Sequence, residues 1–416
     1  MAQYGITGRA VGALWGADRR AGSSMRTLVM SDVRNDARRR LLKWGLGFSL
    51  LMQGRGVNAT GTLGAADWPE WNDFVTSLLR PDGRIVDLAT ADQRTTSEAQ
   101  GYGMFFALVN NDVALFAKMW NWVDANLLSG GSGGLPAWLW AQDADGVMRV
   151  LDANSASDAD MWIAYSLLEA GRLWHRMDYS EAGRRLLQSV AEQEMAAVPG
   201  LGPMVMPGLQ GFSGPGWWRF NPSYMPLQLL RRFGLEFPAD ASWARMPAQA
   251  LKLIQSSAPM GFVPDWIRWD GQAMIVDPDK GALGSWDAIR TYLWAGMLAA
   301  TDPLRTPLLA ALHGPSDLID KGRDLPEKMD TRHGIGFGME SSGYAGALLP
   351  YLLACGSRSG LMAQQGMIPP ASQYRAMGLP YYQRAMILFG TGFIQHRFRF
   401  DEEGRMVPAW CPGSRA

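Results

Sequence analysis

Apolar residues recur at three- and four-residue spacing in a series of segments, roughly 97 to 112, 113 to 128, 158 to 176, 180 to 196, 222 to 234, 286 to 300, 303 to 313 and 341 to 355. That spacing sets apolar side chains on one face of an α-helix, so each segment must bury a stripe against a neighbour. Joints rich in Gly and Pro separate the segments, among them G-G-S-G-G-L-P (130 to 136), P-G-L-G-P (199 to 203) and G-F-S-G-P-G (211 to 216). Convincing runs of two-residue period are scarce. An all-α chain of successive helical hairpins accounts for the pattern, although no sequence repeat shows whether they close into a ring. From Trp68 onward no linker, charge run or change of composition divides the chain, so residues 67 to 416 read as one domain. With 47% hydrophobic and 19% charged residues, that domain can build a core.

Residues 1 to 66 read as an N-terminal extension and export signal. Arg38, Arg39 and Arg40 lead into L-L-K-W-G-L-G-F-S-L-L-M, which is apolar apart from Lys43 and too short to span a bilayer. The order R-R-R-L-L-K resembles a twin-arginine signal, and Val57-Asn58-Ala59 offers small residues for cleavage. A periplasmic or secreted protein with no membrane span in its mature chain is the expectation; the alternative is a basic amphipathic helix opening a cytoplasmic protein. Residues 1 to 29 are neither apolar nor periodic, which makes Met25 or Met30 a candidate start.

The 39 basic and 39 acidic residues cancel, which argues against nucleic acid or an anionic membrane surface as partner. Eighteen Trp residues suit a neutral ligand with flat, weakly polar faces, as sugar rings have, unless they serve only to fill the core. Cys355 and Cys411 lie far apart and the four His residues form no cluster with them, so a zinc site is not expected. An exported chain could pair the two cysteines.

Three acidic residues sit at what look like helix starts: Glu98 in T-T-S-E-A-Q-G-Y-G-M, Asp158 in N-S-A-S-D-A-D-M-W and Asp287 in G-S-W-D-A-I-R. One explanation is capping, with Ser97, Ser157, Ser285 or the acids themselves meeting the exposed N–H groups. The other is glycosidic cleavage, which needs one protonated acid and one carboxylate on opposite faces of a sugar. A helix N-terminus lowers a carboxyl pKa, so the acid must be compensated by burial among aromatics or by a second carboxylate. Tyr102 and Asp158 are candidates for those parts. On these grounds alone the roles stay unassigned.

T-T-S-E-A-Q-G-Y-G-M and A-S-D-A-D-M-W-I-A-Y-S-L-L-E-A-G-R-L-W resemble the two defining segments of glycoside hydrolase family eight. L-P-A-W-L-W (135 to 140), W-R-F-N-P-S-Y-M-P (218 to 226), W-D-A-I-R-T-Y-L-W (286 to 294) and Q-H-R-F-R-F (395 to 400) resemble its branch from bacterial cellulose synthase operons. The resemblance covers nearly all of Trp68 to Trp410. It implies an (α/α)6 barrel and inverting, endo-acting hydrolysis of β-1,4-glucan such as cellulose, with cellulose synthase subunits as possible partners. It further implies that Glu98 is the general acid, Asp287 the general base and Asp158 a supporting carboxylate near the sugar, while Asp160 is structural. Tyr224 matches a tyrosine near the catalytic water. Arg290 either holds the base ionised or forms an ordinary i, i+3 helix pair, and one of Trp138 and Trp140 stacks on substrate. Ala99 and Trp286 depart from the glycine and tyrosine common at those positions. Two other readings remain: the same fold acting on chitosan, xylan or mixed-linkage glucan, and a non-catalytic glucan-binding assembly protein.

Overall fold

Two kinds of helix alternate along the chain, and their difference in burial sets the architecture. The structure, a computed structural model, describes residues 68 to 411; the signal-like segment and its small residues 57 to 59 lie outside them. The helices are α1 (Pro69–Leu78), α2 (Ser97–Val109), α3 (Val113–Trp122), α4 (Ser157–Trp174), α5 (Met177–Gln193), α6 (Leu227–Glu236), α7 (Ala241–Ser257), α8 (Ile289–Met297), α9 (Arg305–Ala311), α10 (Gly314–Asp320), α11 (Ser342–Ala354), α12 (Arg358–Gly366) and α13 (Tyr381–Ile394). Helices α2, α4, α8, α11 and α13 are buried on almost every side, whereas α1, α3, α5, α7 and α12 bury one face only. Going round, α2 packs on α4, α4 on α6, α6 on α8, α8 on α11, α11 on α13, and α13 returns to α2. Each of these six is backed by an outer helix: α3 on α2, α5 on α4, α7 on α6, α9 on α8, α12 on α11 and α1 on α13. The ring is an (α/α)6 barrel.

Aromatic side chains fill its axis. Phe105 meets Trp162 at 5.0 Å, Trp162 meets Trp294 at 5.1 Å, Trp294 meets Phe389 at 5.1 Å, and Phe389 meets Tyr102 at 5.0 Å, linking α2, α4, α8 and α13. Each such pair adds about 0.5–1.5 kcal/mol beyond the area it buries. Trp68, Trp71, Trp162 and Trp243 are wholly buried, so core filling accounts for these tryptophans.

Helices α1, α7, α10, α12 and α13 lie outside the periodic segments. In α13, Y-Y-Q-R-A-M-I-L-F-G-T-G-F-I is buried on nearly every side and mostly apolar after Arg384, and so shows no clear stripe. Gly390 is required there, because a Cβ would fall 1.8 Å from the Gly346 carbonyl oxygen of α11. In α7, Pro247 interrupts the pattern. The segment 113 to 128 is an α-helix only to Trp122 and continues as a π-helix, Val123–Leu128. The strands among the described residues are two to five residues long, too short for a two-residue period to be read. One small sheet leads into α2: β1 (Thr95–Thr96) pairs with β2 (Leu139–Gln142), which pairs with β3 (Met148–Asp152). Cys355 and Cys411 are both free. Among the described residues no helix is long and apolar enough to cross a membrane.

Candidate active site

Glu98, Asp158 and Asp287 meet at one end of the barrel because the inner helices begin there. Helix α2 follows directly on β1, where the Thr96 hydroxyl accepts the Ala99 N–H at 3.1 Å and Ser97 N–H donates to the Trp138 carbonyl at 3.0 Å. Thr96 is the cap, and Glu98 is left free in the first turn. Serine capping is corrected in all three places. Ser97 and Ser157 lie inside their helices with hydroxyls that make no hydrogen bond, and Ser285 binds Asp265 instead. Asp158, in the first turn of α4, accepts the N–H of Ala159 at 2.9 Å. Asp287 sits in the turn just before α8.

Arg290 joins the three acids. Its guanidinium, 2% exposed, donates from Nη1 to Glu98 Oε2, to Asp158 Oδ2 at 2.8 Å and to the Tyr102 hydroxyl at 3.2 Å, and from Nη2 to Asp287 Oδ1 at 3.1 Å. The rings of Tyr224 and Tyr382 lie 5.3 and 5.8 Å from its central carbon. An ordinary exposed i, i+3 pair has none of these features, so Arg290 is the shared counter-ion of a buried cluster.

One cation facing three carboxylates leaves an excess of negative charge away from water, which favours protonation. Burial raises Glu98 to about 7; Asp158 and Asp287 push the same way, while Arg290 and the Tyr381 hydroxyl, donating at 2.6 Å, oppose them. Asp158 is also raised by burial, against the pull of Arg290. Burial and the second carboxylate thus act as expected, whereas Tyr102 acts through Arg290. Side-chain exposure separates the three: 30% for Asp287, 18% for Glu98 and 5% for Asp158. Two carboxylates are partly exposed to solvent and the third is buried.

The other candidate residues surround this cluster. Tyr224 ends the short turn Pro222–Tyr224, its ring 5.9 Å from that of Trp266. Trp138 is half-buried and outside the hydrophobic core, beside the start of α2; Trp140, also half-buried, packs against the core and meets Trp122 edge-on at 5.7 Å. Trp286 donates to Glu327 at 3.0 Å and packs edge-on against Tyr344 and Tyr382. Ala99, 2% exposed, is accommodated in the wall.

Sequence reasoning missed Tyr381, which holds Glu98; Trp266, whose indole N–H donates to Asp287 Oδ2 at 3.1 Å; and Tyr382, which donates to the Trp286 carbonyl at 2.7 Å. Pro380 ahead of the tyrosine pair was the available signal, since proline suits a helix start. Trp266, in P-D-W, carried no local signal at all. Among the described residues no group of acids, His and Cys is arranged to hold a metal ion.

The cluster therefore offers a carboxyl that keeps its proton to near neutral pH and a second, more exposed carboxylate, with a cation between them. A sequence profile of Glycosyl hydrolases family 8 matches residues 57–357. An endoglucanase of Xanthomonas axonopodis pv. citri (strain 306) is 48% identical over 376 residues, covering 90% of this chain and 97% of that protein. One of Salmonella typhi is 41% identical over 367 residues, covering 86% and 96%. The crystal structure of an endo-1,4-D-glucanase from Vibrio fischeri ES114 superimposes with a TM-score of 0.78 at 36% identity, covering 82% of this chain and 99% of that one.

Proposed function

Because the chain belongs to glycosyl hydrolase family 8, we propose that it hydrolyses internal β-1,4 bonds of a glucan such as cellulose, with Glu98 as general acid and Asp287 as general base. The observation that carries this reading is the single guanidinium of Arg290 bound to both residues, one of which is raised to about 7. Glu98 protonates the leaving glycosidic oxygen, and Asp287 takes a proton from the water that attacks the anomeric carbon from the opposite face, inverting it. Arg290 and Trp266 each donate to one oxygen of Asp287, which aligns the carboxylate toward that water. As Glu98 gives up its proton, Arg290 and Tyr381 stabilise the carboxylate it leaves. Asp158, the most enclosed of the three, favours a protonated Glu98 and lies near the sugar at the cleavage point. Tyr224 faces the water, and Tyr102 steadies Arg290 from below. Of the two cellulose-branch tryptophans, Trp138 is the stacking platform, since Trp140 is engaged with Trp122.

The signal-like R-R-R-L-L-K-W and the operon-type segments support export to the periplasm and work beside a cellulose synthase, on strands as they emerge. Residues 1 to 66 are then the exported signal region and 67 to 416 the catalytic domain. Release of reducing ends from carboxymethyl cellulose by the wild type, Glu98→Gln and Asp287→Asn tests the reading. Release by the wild type alone supports it. Unchanged activity in either variant, or activity only on chitosan or xylan, overturns it, and no activity on any β-1,4-glycan brings the glucan-binding reading forward.

A further inference from the structure

Asp287 belongs to a turn that its own neighbours do not cap: the residue at the cap position of α8 is Ala288, and no local side chain accepts the helix's first N–H groups. The side chain that holds the turn itself comes from 20 residues earlier. Asp265 Oδ1 accepts the N–H of Ser285 at 2.7 Å and of Ala288 at 2.8 Å, and Oδ2 accepts the Ser285 hydroxyl. These donors flank Asp287 on both sides, so one carboxylate grips the whole turn. Asp265 is itself tied down, its own N–H donating to the Leu283 carbonyl at 2.8 Å. The two strands of chain lie so close that a Cβ on Gly284 would sit 2.4 Å from the Val263 carbonyl oxygen. The next residue, Trp266, donates to Asp287 itself, and its ring is held between Phe212, stacked at 5.7 Å, and the guanidinium of Arg219 at 4.6 Å.

We propose that Asp265 is a positioning residue for the general base: through the N–H groups of Ser285 and Ala288 it sets where the Asp287 carboxylate points, without touching substrate. The proposal rests on the assignment of Asp287 as base. A half-buried carboxyl with three donors around it serves better than a serine cap here, because two N–H groups separated by the base need a single acceptor set back from the turn. Burial, together with the nearby Asp287, raises Asp265 to about 7. A proton on Oδ2 would still point at the Ser285 hydroxyl, so the grip through Oδ1 survives.

The test measures kcat and KM separately on a soluble β-1,4-glucan, with folding followed by circular dichroism. Asp265→Ala is expected to lower kcat about 100-fold, the scale of a 1 Å misplacement of a reacting group, and to leave KM within about twofold. Asp265→Asn keeps the Oδ1 acceptor and is expected to recover kcat to within about tenfold of wild type on the same scale. Should Asp265→Ala fail to fold, Ala288→Pro removes one N–H at a residue whose φ of −57° suits proline, and a clear fall in kcat is expected. The proposal is overturned by Asp265→Ala or a folded Ala288→Pro retaining wild-type kcat, by Asn and Ala falling equally, or by a loss confined to KM. Asp287→Asn is assayed alongside: if it remains active, the base assignment has failed, whereas an inactive Asp287→Asn beside an active Asp265→Ala defeats this inference alone.

Discussion

Two acids stand two residues apart at the start of α4, and they face different neighbours. Asp158 meets the guanidinium of Arg290. Among the described residues Asp160 meets no cation; burial and the nearby Glu194 raise its carboxyl well above the usual range, and burial raises Glu194 to about 8. Glu194 accepts the Ser155 hydroxyl at 2.6 Å, the contact that holds it. Both clusters are buried, and burial is the first cause of the raised pKa in each. A cation and an opening to solvent distinguish them. Without a cation, neighbouring buried acids simply hold protons; with one, the site can keep a proton on Glu98 while offering carboxylate elsewhere, which is what acid and base catalysis together require.

Removing the cation should erase the difference. Arg290→Met leaves the first cluster like the second and, as with other broken buried ion pairs, should cost about 3–5 kcal/mol of stability along with the activity; a chemical denaturation curve near wild type would show that the cluster does not depend on Arg290. Next in size, Glu98→Gln should lower kcat by about 100- to 10,000-fold, whereas Asp160→Asn should leave kcat within about threefold, as expected of a group outside the reacting centre. A comparable loss from Asp160→Asn would mean that the second cluster takes part in the chemistry. The pH profile follows from Glu98 at about 7: kcat/KM should fall as pH rises through 7, because the acid must be protonated, and a profile flat to pH 9 would contradict it. Trp138→Ala should raise KM by up to about tenfold, the value of one aromatic contact, with kcat little changed; the same effect from Trp140→Ala would reverse their assignment.

The remaining effect is one of stability and concerns the second cluster. Glu194 has a folded pKa of about 8 against about 4.3 unfolded. Its protonated form therefore favours folding fully below the unfolded value, and that contribution is lost as pH rises through 8. Wild-type melting temperature should decline between pH 6 and 9, and Glu194→Gln, with no proton to lose, should decline less. Parallel curves would show that Glu194 does not hold a proton in the folded chain.

Burial alone did not decide which helices were legible in the sequence. The one-faced α5 and the enclosed α2 and α4 showed the helical period, whereas the one-faced α1, α7 and α12 and the enclosed α13 did not. Glu98, Asp158 and Asp287 were visible because their local segments carry a strong resemblance, and Arg290 because it lies one turn from Asp287. That Arg290 also grips Glu98 and Asp158, 192 and 132 residues away, is a property of ring closure that no local pattern encodes. Asp265 and Tyr381 were hidden for the same reason, since each acts on a residue far along the chain. D-A-D likewise gave no hint that its two acids have opposite surroundings, although positions i and i+2 of a helix face apart.

Whether an acid and a base act from opposite faces of the sugar across Arg290 is decided by proton NMR of the anomer first released from a soluble β-1,4-glucan. Inversion by Glu98 and Asp287 gives the α-anomer, appearing before mutarotation; a β-anomer as first product would mean a retained configuration and would contradict the assignment of Asp287 as base for water.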